Sequence, residues 1–247
     1  DTVKIEYYAV PDQDTILNMT NHSYFNLDGH EKKDVLAQRV WIDADTFTRA
    51  DAESIPTGEI VPVEGTPMDF RSGKMIGEEI ESDYEAIRLG NGYDHNWVLN
   101  HPGTYRKVAE MEGAESGIGM EVWTDLPGMQ FYTANFVEHE EGKEGICYGK
   151  RSGACFETQY FPDAIHKEHF EGPVCKAGST YHTTTAYHFT VKLGTHGKIS
   201  IYCGEAKRRT GICKGIKIEY KTKRRISGGG QCNRNMVCWT PCHDELS

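Results

Sequence analysis

The sequence predicts an all-β protein built as an antiparallel sandwich or barrel. Three observations carry this. Between residues 1 and 193, short strand-like stretches of alternating character follow one another closely. Gly, Pro, Asp and Asn turns separate them, and almost nothing repeats at the helical period. Strands at this density without long helices between them imply an antiparallel arrangement.

Taken in order, the first strand is expected at 2–9, where Val3, Ile5 and Tyr7 alternate with polar neighbours. The second is expected over 15–27. One face reads Leu17, Met19, Phe25 and Leu27; the other reads Asn18, Thr20, His22, Tyr24 and Asn26. That second face is uncharged, rich in donors and acceptors, and carries one titratable ring. Further strands are expected at 38–43, 95–99, 118–124, 131–136, 154–160 and 182–192, with helical turns at 72–76 and 78–82.

With 247 residues, 38% hydrophobic and 11% aromatic, the chain can bury a core in one large or two small domains. No run approaches the roughly 18 apolar residues of a membrane span. No charged-then-apolar leader precedes the first strand, and the chain starts at Asp1. The net charge of −10 hides two unlike parts. From Gly194 onward there are 11 Lys/Arg against 4 Asp/Glu; taken from totals of 27 and 37, this leaves 16 against 33 for residues 1–193. An acidic body argues against nucleic acid as its partner. The basic tail holds Cys203, Cys213, Cys232, Cys238 and Cys242. The expected division is a β-domain over 1–193 and a poorly ordered tail over 194–247.

Three polar clusters sit on or beside expected strands. They are Asn21-His22-Ser23-Tyr24, Asn91-Gly92-Tyr93-Asp94-His95-Asn96, and the stretch Cys155 to Asp163. In the third, Glu157 and Gln159 share a face opposite Phe156 and Tyr160, which places a carboxylate in a cleft or an interior. A histidine, with an ordinary pKa of about 6.5, and a carboxylate of about 4.3 suit acid–base work near neutrality. On chemistry alone, a hydrogen-bonded structural histidine is the commoner reading of His22.

These segments resemble the aldose 1-epimerase (galactose mutarotase) family, over nearly all of residues 1–193. The resemblance lies in Asn18-Met19-Thr20-Asn21-His22-Ser23-Tyr24-Phe25-Asn26-Leu27 and in Tyr93 through Leu99. It continues in Pro127-Gly128-Met129-Gln130-Phe131-Tyr132-Thr133-Ala134-Asn135-Phe136, in Glu157 through Ala164, and in Tyr181-His182-Thr183-Thr184. It implies a β-supersandwich of roughly twice the matched length, so the chain is expected to be N-terminally truncated. The half without a counterpart here would supply an arginine and a second histidine that hold the sugar.

The activity implied is cofactor-free interconversion of the α and β anomers of a free hexose, galactose or glucose. By position, Glu157 is the expected base and His22 the expected acid. Asp94, Gln130, Tyr24, Ser23 and Phe25 are expected substrate contacts. Two alternatives stay open: a β-sandwich fragment that binds carbohydrate without turning it over, and a hexose-6-phosphate epimerase in which Arg88 or Arg151 holds the phosphate.

Other features read more plainly. His166 and His169 lack a third ligand at metal spacing, and Cys232, Cys238, Cys242 and His243 do not match a standard zinc finger, so no metal is expected. His182 and His188 are expected to be structural. Of the neighbours Asp94 and His95, only Asp94 is assigned to the site, because adjacent residues on a strand face opposite ways. The body uses cysteine like a reduced protein, which points to the cytoplasm. The His243-Asp244-Glu245-Leu246 run resembles a retrieval signal but is followed by Ser247. The Asn18 and Asn21 glycosylation patterns fall inside the expected site strand and are read as coincidence.

Overall fold

The structure, a computed structural model, describes residues 1–191 with their side chains and, at the backbone level, strands at Gly197–Cys203, Ile216–Thr222 and Arg234–Val237. The Cys232, Cys238, Cys242 and His243 set, and the expectation of poor order in the tail, fall outside the residues described with side chains.

In chain order the strands of the body are β1 Thr2–Ala9, β2 Thr15–Ile16, β3 Arg39–Ile42, β4 Thr46–Ala50, β5 Pro56–Pro62 and β6 Lys74–Met75. They continue as β7 Asp94–Val98, β8 Arg106–Glu112, β9 Ile118–Thr124, β10 Gly128–Tyr132, β11 Glu140–Glu141 and β12 Cys147–Tyr148. The last three are β13 Cys155–Gln159, β14 Val174–Cys175 and β15 Tyr181–Val191. One sheet has six strands in the order β1-β15-β9-β8-β3-β6, and a second has five in the order β13-β10-β7-β4-β5. Every pairing is antiparallel.

The two sheets close on a shared core. Trp97, Phe131 and Phe156 of the five-stranded sheet and Met120, Val122, Tyr187 and Phe189 of the six-stranded one belong to one buried cluster. Phe25 stands between them, with ring centroids 4.8 Å from Tyr187 and 6.5 Å from Phe156. Edge-on and tilted packing of this kind adds to the stabilisation from burial, which is about 1.5–3 kcal/mol for a large apolar side chain. The period of two along each strand then decides the rest. Residues 95, 97, 129, 131 and 156 face the core, so 94, 96, 130, 132, 155, 157 and 159 occupy the outer face of the five-stranded sheet. No described helix is long and apolar enough to cross a membrane.

The largest difference from expectation is the 15–27 segment. Only Thr15–Ile16 is a strand, and Phe25 makes an isolated bridge to Ala154. Between them the backbone is held largely by side chains and loops instead of a ladder. Leu17 N–H donates to the Pro173 carbonyl, Met19 N–H to the Tyr181 hydroxyl, and the Tyr7 hydroxyl to the Thr20 carbonyl. Asn18 spans both backbone groups of Tyr160, and Asn21 Oδ1 accepts from Ser23 N–H. Short polar side chains offer the backbone these alternatives to a sheet, so alternation here did not make a strand.

The helical turns expected at 72–76 and 78–82 are replaced by β6 and a 3₁₀ turn at Ile76–Glu78. The short α-helix α1 lies at Glu85–Leu89, with Glu85 in its first turn, Arg88 in its last and Gly90 at its end. The strand expected at 131–136 runs instead from Gly128 to Tyr132, and left-handed backbone at Ala134 (φ 51°) follows it.

Candidate active site

A hollow of about 400 Å³ opens on the outer face of the five-stranded sheet, lined by His22, Tyr24, Asp94, Gln130, Tyr132, Phe136, Glu157, Gln159 and Pro162. The register makes its floor. Tyr132 lies between Asp94 and Cys155, and Gln130 between Asn96 and Glu157, so the three strands present their polar residues in rows. The 17–23 loop brings His22 over this floor from the side.

His22 Nε2 is 3.3 Å from Glu157 Oε1, and its Nδ1 is 3.5 Å from Cys155 Sγ. The imidazole thus bridges two same-face neighbours of β13. Its side chain remains 45% exposed while that of Glu157 is only 10% exposed, so solvent or a ligand reaches the pair from the His22 side. Tyr24 and Tyr132 wall the ring, with centroids 5.1 Å and 5.9 Å from it. Across the floor, Gln130 Nε2 donates to Asp94 Oδ1 at 2.8 Å.

Charge in this hollow is costly. Burial, and then the neighbouring Asp94, push the Glu157 carboxyl up to about 8. Burial also raises Asp94, with the Gln130 hydrogen bond and His22 pulling the other way. Burial raises the phenols of Tyr24 and Tyr132 as well.

Of the residues expected at the site, the structure brings His22, Glu157, Asp94, Gln130 and Tyr24 together. Two are elsewhere. Phe25 is 2% exposed in the core between the sheets, since the residue after Tyr24 points to the opposite side. Ser23 is buried and does not line the hollow. Tyr132, Phe136, Gln159 and Pro162 were not expected there. Tyr132 and Gln159 lie two residues from Gln130 and Glu157, so alternation held the signal for both. Phe136 and Pro162 come from loops and have no periodic signature.

His95 lies on the core side, edge-on to Phe47 and Trp97, and its Nδ1 accepts from Asp94 N–H. Burial holds it down to about 4. Neither arginine weighed for a phosphate lines the hollow. Arg88 pairs with Asp83 on the surface, and Arg151 is buried against Thr133, Asn135 and the Asn91 carbonyl, reaching Glu81. His166 pairs with Asp163, His169 Nε2 lies 2.6 Å from the Gly58 carbonyl oxygen, and His182 and His188 contact Glu6 and Thr2.

Among the described residues, His22, Cys155 and Glu157 offer ligand atoms within 4.8 Å of one another, as do His30, Glu31 and Glu144. In the first set the imidazole turns a different nitrogen toward each partner. That is the geometry of two hydrogen bonds, whereas one ion takes one nitrogen.

The family model described as aldose 1-epimerase matches residues 1–188. A galactose mutarotase from Sus scrofa is 40% identical over 188 residues, covering 76% of this chain and 54% of that protein. An aldose 1-epimerase from Escherichia coli (strain K12) is 34% identical over 190 residues, with the same coverage of each. The chain spans about half the length of the curated relatives it matches. Among solved structures, an aldose epimerase homologue from C. elegans superposes with a TM-score of 0.69 at 29% identity, covering 77% of this chain and 56% of that one.

Proposed function

The chain belongs to the aldose 1-epimerase family, and from that premise we propose that it interconverts the α and β anomers of a free hexose, galactose or glucose, in the hollow over β7, β10 and β13. The observation that carries this reading is the approach of His22 and Glu157 to 3.3 Å at the mouth of a pocket walled by aromatic rings and floored by hydrogen-bonding side chains.

The chemistry follows from the two groups. Ionised Glu157 takes the proton of the anomeric hydroxyl while protonated His22 gives one to the ring oxygen. The C1–O5 bond breaks, its electron pair going to O5, and C1 becomes an aldehyde. After rotation about C1–C2, the O5 hydroxyl attacks the other face of the aldehyde and both protons return. One group loses what the other gains, so the pair ends each cycle as it began. A carboxyl raised to about 8 binds a proton more strongly than an ordinary one, which makes its ionised form the better base. Asp94 and Gln130 would bind sugar hydroxyls, and Tyr24 and Tyr132 would flank the ring. Among the described residues the lining holds no lysine or arginine, which supports a free sugar over a sugar phosphate. A cytoplasmic setting is part of the same reading, supported by Cys147 and Cys175, which stand as thiols among the described residues.

Polarimetry on freshly dissolved α-galactose and α-glucose tests it. Optical rotation should relax faster with the protein than in a matched blank. Equal rates at high protein concentration would remove the enzymatic reading. Saturable sugar binding without that acceleration would leave a carbohydrate-binding domain instead.

A further inference from the structure

Beside the hollow lies a buried polar group that the acid–base step does not use. Asn96 is 2% exposed on the outer face of β7, and neither its Oδ1 nor its Nδ2 has a hydrogen-bond partner. Its register partner on β10 is Gln130, whose Oε1 is also buried and unpartnered. Three unpaired polar atoms on two facing residues form a concentration that folded proteins do not leave dry, because each buried group left unsatisfied is destabilising. The orientation of Gln130 explains where they point. Its Nε2 must face Asp94, to which it donates at 2.8 Å, so its Oε1 is turned into the sheet floor. Gly128 gives the Asn96 amide its room: a Cβ there would lie 2.5 Å from Asn96 Oδ1 and 2.8 Å from the Phe161 ring.

We propose that a buried water molecule bridges Asn96 and the Gln130 Oε1, and that Asn96 is thereby a positioning residue that locks the Gln130 amide toward Asp94. A water in such a niche takes two to four partners, and the amide pair supplies both donors and acceptors. The role deepens the epimerase reading, yet its physical content is independent of turnover. With the lock removed, the Gln130 amide is free to rotate and Asp94 loses its donor. Asp94 is then more easily neutralised, and the repulsion it exerts on Glu157 weakens. The titratable groups around Glu157 are His22 from the 17–23 loop, Asp94 from β7, Tyr132 from β10, Cys155 from β13 and Tyr24, with Gln130 its register partner on β10; of the titratable ones only Asp94 loses a hydrogen bond in the change.

The test is carboxyl-carbon NMR titration of Glu157 in the full chain carrying Asn96→Leu, which keeps the volume and removes both polar atoms, and in Asn96→Ser, which keeps a hydroxyl for the water. The expected result is a downward shift of the Glu157 midpoint in the leucine variant, smaller in the serine variant, and water cross-relaxation to the Asn96 amide protons in the parent. A Glu157 midpoint unchanged in both folded variants would overturn the proposal, even if their melting points fall. Should the leucine variant not fold, an unchanged midpoint in the serine variant together with absent water cross-relaxation in the parent would overturn it equally. Since no sugar is present, failure here does not touch the polarimetric result.

Discussion

Along β7, β10 and β13 the two faces of the five-stranded sheet titrate in opposite directions. On the core face, burial holds His95 down to about 4; on the outer face, burial and Asp94 push Glu157 up to about 8. Both shifts keep a buried group neutral, and both leave stability dependent on pH. Between the ordinary histidine value of 6.5 and about 4, the unfolded chain binds the His95 proton more strongly, so stability falls as pH falls through that window. Between the ordinary glutamate value of 4.5 and about 8, the folded chain holds the Glu157 proton more strongly, so stability falls as pH rises. Asp94, raised in the same direction, adds to the second slope. The lesson is that one face was shaped for packing and tolerates a silent imidazole. The other keeps two carboxyls close together at a cost in stability, which is what a site for proton transfer requires.

The sharpest way to break this comparison is to neutralise the outer face. Glu157→Gln should slow anomerisation by about 10²–10⁴-fold while the protein stays folded, since a general base contributes on that scale. A polarimetric rate near the parent's would remove Glu157 from the chemistry. The matching change on the core face is Phe131→Ala. It opens a cavity among Phe70, Tyr93, Trp97 and Phe156 and should cost about 3–5 kcal/mol in urea unfolding.

A smaller effect separates the two slopes. Denaturant midpoints measured from pH 6.5 to 8 should decline for the parent and flatten for Glu157→Gln. A parent curve that rises through this range would contradict the burial of Glu157. The smallest effect is at Gly128, which is needed for space and not for backbone conformation. Gly128→Ala should cost about 1–3 kcal/mol by overpacking against Asn96 and Phe161, read from thermal unfolding.

How much of this was legible beforehand varies with what surrounds each residue. β9 and β15 were expected close to their observed ends, because large apolar residues recur at every second position in each, Met120 and Val122 in one and Tyr187 and Phe189 in the other. β8 was not expected. Its sequence Arg-Lys-Val-Ala-Glu-Met-Glu is dominated by charge, although Val108, Ala109 and Met111 are buried. β4 and β5 were missed as well, since Thr, Arg, Gly and Pro conceal a hairpin that packs only in part. In the site, Glu157, Asp94 and Gln130 were readable from motif and alternation together. Tyr132 needed the same alternation carried two residues further. Phe25 was assigned to the hollow through its place in a motif, yet its alternation had already put it with Leu27 on the apolar side, and the core is where it lies. The loop contacts of Phe136 and Pro162 depend on where the chain turns after β10 and β13, which no local pattern encodes.

The tyrosine anchors of the 17–23 loop have a consequence for this pair. Tyr7 and Tyr181 belong to the six-stranded sheet and grip the loop at Thr20 and Met19, while Tyr187 of the same sheet bonds Asn21 and the Phe156 carbonyl. His22 therefore sits on a loop tied to both layers, to the six-stranded sheet through these tyrosines and to the two ends of β13 through Asn18 on Tyr160 and Phe25 on Ala154, while Glu157 is carried by β13 itself. The gap across which protons would pass thus depends on how the two layers share that loop, so a repacking in the hydrocarbon that shifts one set of anchors against the other reaches the distance between acid and base.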